Sequence, residues 1–123
     1  MRLTTALALM IATATAVVVA GPASAIPTTQ PSVVNVSAPS SGLKYNTTVL
    51  RAHPGKIKLV FTNKSTLKHN VRIESGETEL GGTKTIGKQR TIAYISLKKG
   101  TYNFYCTVPG HEAAGMKGKL IVS

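Results

Sequence analysis

Short runs in which apolar and polar residues alternate constrain the fold of this 123-residue chain more than any other feature. In residues 56–61, the side chains of Ile57, Leu59 and Phe61 share one face of an extended backbone, because successive side chains of a strand point to opposite sides. Turn residues, such as those at 53–55, separate these runs, and the sequence has no convincing amphipathic helical pattern. The pattern predicts an all-β chain folded as an antiparallel β-sandwich.

The sequence predicts about seven to eight strands. Residues 75–89 contain four glycines and no clear strand signal, so we expect them to form a loop over one side of the sandwich. The runs that we interpret as strands are residues 33–36, 47–52, 56–61, 70–74, 91–97, 101–106 and 119–122.

The N-terminal 25 residues have the pattern of a secretory signal peptide. Arg2 is followed by an uncharged stretch rich in Ala, Leu, Ile and Val, and small residues at 23–25 suit cleavage. This stretch is short of the roughly 20 residues that span a bilayer comfortably, so we favour a cleaved signal over a membrane anchor. We expect residues 26–31 to be a flexible lead, residues 32–123 to form one domain, and the protein to be periplasmic or extracellular.

The only cysteine of the chain, Cys106, lies on one short segment with His111 and Met116, and four residues separate each from the next. A lone thiol in an exported protein dimerises, reacts or is occupied by a metal. His69 offers a second imidazole further upstream. One thiolate, two imidazoles and a thioether are the ligands that hold a blue copper ion.

Strand alternation predicts how these side chains meet. Tyr102, Phe104 and Cys106 share one face, so the thiol points inward at the end of its strand. The segment that follows contains Pro109, Gly110 and Gly115, which allow it to turn back over the sulfur. Asn70 would then hydrogen-bond across to the Cys106 segment and, without touching the metal itself, fix the geometry of the metal site.

These residues resemble the motifs of the cupredoxins, the plastocyanin/azurin-like group of small blue copper proteins. The matching pieces are His69-Asn70, residues 100–106, residues 109–111 and residues 116–118. The resemblance implies a Greek-key β-sandwich and one copper ion bound by His69, Cys106, His111 and Met116. It also implies that His111 is the exposed ligand, in an apolar patch where redox proteins dock. The apolar neighbours available for that patch are Pro109, Ala113 and Ala114.

The spacing of the ligands is of a mixed type. The gap between Cys106 and His111 has the azurin length, whereas the gap between His111 and Met116 has the plastocyanin length. Lys68 stands where azurins have a glycine before the first histidine, which argues against a backbone carbonyl as a fifth ligand.

The leading functional interpretation is a one-electron carrier that is not an enzyme, and the alternative is a copper-binding protein for storage or delivery. Copper enzymes with a similar loop need a second copper centre, and only His53 remains here to build one. A Cys-His nucleophile has no visible orienting residue or oxyanion hole. We interpret His53 as a surface residue.

The chain is strongly basic, with 15 Lys and Arg against 4 acidic residues and a formal net charge of +11. This charge favours acidic partners or loose association with anionic membrane surfaces. Nucleic acid is not expected, because the chain has an export signal and no nucleic-acid-binding motif. We expect a monomer, and interpret the cluster of Glu74, Glu77 and Glu79 as a solvated loop. Three glycosylation sequons start at Asn35, Asn46 and Asn63.

Overall fold

The computed structural model describes residues 14–22 and 30–123. The predicted signal peptide and the predicted flexible lead therefore lie largely outside the described residues. Residues 14–22 are exposed and have no regular secondary structure. Among the described residues there is no helix long and apolar enough to cross a membrane.

Eight strands form the domain, and the described residues contain no helix. In β3 (Gly55–Asn63), Ile57, Leu59 and Phe61 share one face and are buried, as the alternation predicted. The strands are β1 (Ser32–Ala38), β2 (Val49–Ala52), β3 (Gly55–Asn63), β4 (Arg72–Ser75), β5 (Thr78–Gly82), β6 (Arg90–Leu97), β7 (Gly100–Tyr105) and β8 (Lys117–Val122).

The strands make two sheets, a three-stranded sheet of order β1-β3-β6 and a five-stranded sheet of order β2-β8-β7-β4-β5. The prediction of an all-β sandwich is confirmed. Two pairings, β1 with β3 and β2 with β8, are parallel, while the others are antiparallel. Alternation reports which face a side chain occupies but not the direction of the neighbouring strand, so the sequence did not indicate these parallel pairs.

The expected long loop at residues 75–89 is partly a strand, so that prediction was wrong. β5 pairs with β4 in antiparallel fashion, with a register shift between Ile73 and Glu74. The strand contains two glycines with positive φ, Gly81 and Gly82, and its remaining residues are exposed. An edge strand with a glycine-rich end and no buried face has no apolar alternation from which it could be predicted.

One core fills the space between the sheets. Phe61 from β3 and Phe104 from β7 are fully buried there, and Tyr45, from the connection between β1 and β2, packs against both rings. Cys106 and Met116 belong to the same buried cluster. The candidate metal centre is therefore built into the edge of the core rather than onto the surface.

The predicted glycosylation sites differ in access. Asn35 and Asn46 are exposed, whereas Asn63 is 2% exposed. The side-chain amide nitrogen of Asn63 donates hydrogen bonds to the carbonyl oxygens of Leu67 and Ile86 at 2.8 and 2.9 Å. A glycan on that nitrogen is incompatible with these bonds in the folded protein.

Gly118 on β8 is required for the packing of β8 against β7. It lies opposite Phe104, and an added Cβ would overlap the Phe104 ring and the carbonyl oxygen of Thr48. We expect Gly118→Ala to lower the free energy of unfolding by about 1–3 kcal/mol, the usual effect of overpacking a core. Urea denaturation measures this change.

The matched control is Gly87→Ala. Gly87 has no positive φ, and nothing lies within 4 Å of its added Cβ. This variant is expected to match the wild type or to be slightly more stable, because alanine restricts the unfolded chain. Equal stabilities for the two alanine variants would contradict the packing argument.

Candidate metal centre

Three side chains that the sequence analysis singled out converge at one end of the sandwich. The Nδ1 atoms of His69 and His111 are 3.1 Å apart, and the Cys106 sulfur lies 3.9 Å from the first and 3.6 Å from the second. The point equidistant from the three atoms is about 2.1 Å from each, close to the length of a metal–nitrogen bond and slightly short for a metal–sulfur bond. The arrangement therefore fits a single metal ion among the three atoms.

Strand β7 positions the thiol. Phe104 is buried on its inner face, and Cys106, two residues further, follows the same face just after β7 ends. The sulfur thus points inward, as the alternation predicted, and Cys106 is 1% exposed. The backbone N–H of Cys106 donates to the carbonyl oxygen of Met116 at 3.1 Å, which closes the segment between them into a loop.

The ligand loop, residues 106–116, is tightly folded by hydrogen bonds of its own backbone. The N–H of His111 donates to the Val108 carbonyl at 3.0 Å, and the N–H of Met116 donates to the His111 carbonyl at 3.0 Å. Gly110 and Gly115 have φ values of 83° and 108°, a region that favours glycine. These two glycines allow the turns that bring His111 back over the sulfur.

Met116 is fully buried and closes this loop. It is 0% exposed and belongs to the same apolar cluster as Cys106. Its backbone hydrogen bonds with Cys106 and His111 place Met116 next to both of these residues. The structure therefore brings all four predicted ligand residues to one end of the sandwich.

His69 is held by its backbone. It lies before β4 and forms an isolated bridge with Ile86, with N–O distances of 3.0 and 2.9 Å. The side chain is 0% exposed, and its Nε2 has no hydrogen-bond partner in the described part of the chain. In metal-binding histidines, the N–H of the second ring nitrogen usually donates a hydrogen bond to a protein group. The described residues provide no such partner here, so packing and backbone geometry orient this ring.

Asn70 links the two segments that carry the ligands. Its Oδ1 accepts a hydrogen bond from the Thr107 backbone N–H at 2.9 Å, and its Nδ2 donates to the hydroxyl oxygens of Thr107 and Thr85 at 2.6 and 2.9 Å. Asn70 is next to His69 and Thr107 is next to Cys106. The clamp of Asn70 and Thr107 therefore holds the segment of His69 next to the segment of Cys106.

Burial and the neighbouring imidazole favour neutral His69. The loss of hydration, and then the proximity of His111, lower the pKa of His69 below its ordinary value. The neutral tautomer that carries its proton on Nε2 offers a lone pair at Nδ1, which is the form needed to bind a cation there.

Sequence reasoning missed Tyr45. It lies in the irregular connection between β1 and β2, is 6% exposed, and donates its hydroxyl proton to the Asn70 carbonyl oxygen at 2.5 Å. Burial, and then the negative charge of Cys106, raise the pKa of Tyr45 far above its usual range, so the hydroxyl remains a donor. No periodicity marks this segment, so no sequence signal pointed to it.

The remaining predicted residues lie on the surface. Pro109, Ala113 and Ala114 are exposed on the ligand loop, and His111 between them is partly exposed. His53 is also exposed, and its Nδ1 contacts the Ser123 carbonyl oxygen at 3.1 Å, at the end of β8 that is far from Met116. His53 therefore takes no part in the cluster.

The geometry defines a small metalloprotein, a β-sandwich with one buried site of soft and imidazole ligands at its end. A family model described as copper binding proteins, plastocyanin/azurin family, matches residues 32–123. The chain therefore belongs to the plastocyanin/azurin family of copper binding proteins, and its cofactor is copper. The resemblance to cupredoxins that the sequence motifs indicated is confirmed.

Solved structures of cupredoxins share the fold. Reduced auracyanin from Roseiflexus castenholzii has 24% sequence identity and a TM-score of 0.69, over 74% of this chain and 96% of that chain. Auracyanin A from Chloroflexus aurantiacus, described as a "blue" copper protein, has 21% identity and a TM-score of 0.69, over 76% of this chain and 100% of that chain.

Rusticyanin from Thiobacillus ferrooxidans is less similar in structure. It has 23% identity and a TM-score of 0.63, over 74% of this chain and 76% of that chain. At these identities the likeness concerns the fold. No curated protein sequence matches the chain at a significant level.

The lowered pKa of His69 predicts how the metal-free protein responds to acid. The unfolded chain binds a proton at the ordinary histidine pKa of about 6.5, whereas folded His69 binds it only at lower pH. Between these pH values the unfolded state holds more protons, so the stability contributed by neutral His69 is lost as the pH falls below about 6.5. Thermal unfolding of the metal-free protein from pH 7.5 to 5 measures this loss.

The control variant is His53→Gln, which removes an exposed histidine and should leave the pH dependence unchanged. His69→Gln should flatten the dependence over this range. A wild-type melting temperature that rises on acidification from pH 7.5 to 5 would contradict the assignment.

Proposed function

We propose that this chain is an exported one-electron carrier in which His69, Cys106, His111 and Met116 hold one copper ion. The convergence of the two Nδ1 atoms and the Cys106 sulfur, in a chain of a copper-binding family, is the observation that supports it. Bound copper supplies the redox chemistry by changing between Cu(I) and Cu(II), so one electron enters from a donor protein and leaves to an acceptor protein.

The surroundings of the site support fast electron exchange. His69, Cys106 and Met116 are at most 1% exposed. The clamp of Asn70 and Thr107 and the bonds within the ligand loop hold these residues in place before any metal binds. A frame fixed by the protein has little to rearrange when the charge of the site changes by one.

His111 is the proposed exit for the electron. It is the only one of the four ligand residues that is not fully buried, and exposed Pro109, Ala113 and Ala114 share its loop. We propose that redox partners dock on this apolar surface. The basic charge of the chain favours acidic partners and speeds their encounter. We propose that the chain acts as a monomer, exported by residues 1–25 to the periplasm or the cell exterior.

The enclosed ligands favour a carrier over a storage or delivery protein. Delivery requires that ligands of an acceptor protein reach the copper, and three of the four proposed ligand residues are buried. A catalytic centre would need an open coordination position or a second copper. The four proposed ligands argue against an open coordination position, and the distant, exposed His53 argues against a second copper.

The copper-loaded protein is expected to be intensely blue, with narrow copper hyperfine splitting, because the Cys106 thiolate would bind the ion covalently. Absorption and electron paramagnetic resonance spectra of the Cu(II)-loaded protein test this. Cys106→Ser should abolish the blue colour, and His111→Gln should weaken or shift it. The control His53→Gln should leave both spectra unchanged.

Two results would contradict the proposed carrier. A colourless wild-type protein, or a blue protein unaffected by Cys106→Ser, would exclude the thiolate site. Fast loss of copper to a chelator, together with slow electron exchange, would instead support delivery.

The docking surface is tested by Ala114→Glu. A carboxylate in the centre of an apolar contact must lose its hydration when two copies meet, so electron self-exchange between the Cu(I) and Cu(II) forms should slow by about tenfold. Nuclear magnetic resonance line broadening measures the rate, at high salt so that long-range charge effects are screened. The blue spectrum should change little.

The matched control is Ser96→Glu, which adds the same charge at an exposed position. Ser96 is on β6 opposite Lys56, at the end of the sandwich away from the ligand loop. If both variants slow self-exchange equally, or if Ala114→Glu alters the spectrum but not the rate, the surface around His111 is not the docking site.

A further inference from the structure

Tyr45 touches both segments that carry the metal-binding side chains. Its hydroxyl donates to the carbonyl oxygen of Asn70, next to His69, at 2.5 Å. The centroid of its ring lies 5.3 Å from that of Phe104. Phe104 is on β7, two residues before Cys106. A residue from the connection between β1 and β2 thus contacts both the segment before β4 and strand β7.

The carbonyl that Tyr45 binds lies before the first residue of β4. Strand β4 begins at Arg72, so Asn70 lies outside the ladder of sheet hydrogen bonds. The N–H of the same peptide group, at Val71, donates to the hydroxyl oxygen of Thr83 at 2.9 Å. Two side-chain hydroxyls therefore hold the Asn70–Val71 peptide group at both its ends, where the sheet does not.

The orientation of His69 depends on this stretch of backbone. Its buried Nε2 has no hydrogen-bond partner among the described residues, so no hydrogen bond at that nitrogen fixes the angle of the ring. The backbone of His69 is held by the bridge with Ile86, and the next peptide group by Tyr45 and Thr83. A shift of the Asn70 peptide group would move both the imidazole and the clamp of Asn70 and Thr107.

We propose that Tyr45 is a positioning residue of the metal centre, whose hydroxyl fixes the Asn70 peptide group and thereby the aim of His69 at Cys106. The inference rests on the proposed copper site. The proposed role of Tyr45 is more than core packing. The rings beside it, Phe61 and Phe104, are purely apolar, so a phenylalanine at position 45 would pack against them equally well.

Tyr45→Phe tests the hydroxyl alone, because the ring and its packing remain. Tyr102→Phe is the matched control, since Tyr102 also donates its hydroxyl to a carbonyl oxygen, that of Lys98 at 2.8 Å, at the opposite end of β7. We expect Tyr45→Phe to shift the thiolate-to-copper absorption and the reduction potential of the Cu(II)-loaded protein. Tyr102→Phe should change neither.

A second measurement uses the metal-free protein. Amide hydrogen exchange should accelerate at Thr107 by about tenfold in Tyr45→Phe, the effect of losing one buried hydrogen bond on local opening. The amides of β3, the central strand of the three-stranded sheet, should accelerate less. A local effect of this kind distinguishes positioning of the site from a general loss of stability.

Equal acceleration at Thr107 and throughout β3, with an unchanged absorption spectrum and potential, would overturn the proposal and make Tyr45 an ordinary core residue. If Tyr45→Phe does not fold, Thr83→Val removes the hydroxyl at the other end of the same peptide group and should shift the spectrum in its place. An unchanged spectrum in that variant would also overturn the proposal. A colourless wild-type protein would refute the copper site itself, a separate result.

Discussion

The hydrogen bonds between Asn70 and Thr107 join two segments that are 37 residues apart in the chain. One segment contains His69 and the other contains Cys106, so the distance between imidazole and thiol is set before any ion enters. Both residues sit where a strand is absent, just before β4 and just after β7. The sheet brings the two segments near each other, and the side chain of Asn70 fixes their final spacing.

Much of this arrangement could be read from the sequence, because strand alternation and ligand chemistry are local signals. Alternation through Phe104 predicted that the Cys106 sulfur points inward, and the glycines of the ligand loop predicted its turns. His69 and Asn70 were singled out by their ligand and hydrogen-bonding chemistry and by the family resemblance, because no alternation pattern marks them. The same local signals failed for β5, which has no buried face, and for the direction of the parallel strand pairs.

Tyr45 shows a different limit of sequence reasoning. Its partner is a backbone carbonyl oxygen. Every residue of the chain has such a group, so the residue types say nothing about this contact. Only the fold brings residue 45 to residue 70, across a separation of 25 residues. A ligand motif therefore cannot reveal hydrogen bonds between side chains and irregular backbone. Such bonds nevertheless hold the residues of the motif in place.

The site has a buried interior and one exposed side, and these two parts are built from different segments of the chain. His69 and the inner part of the site come from the sheets and their connections, which are fixed by core packing. His111 comes from a loop whose turns are set by its own backbone hydrogen bonds and two positive-φ glycines, and whose ends, Cys106 and Met116, belong to the core. Substitutions at the exposed positions of that loop would therefore leave its buried ends, Cys106 and Met116, in place. In the proposed carrier, the buried frame would keep electron exchange fast, and the exposed residues around His111 would determine which proteins take part in it.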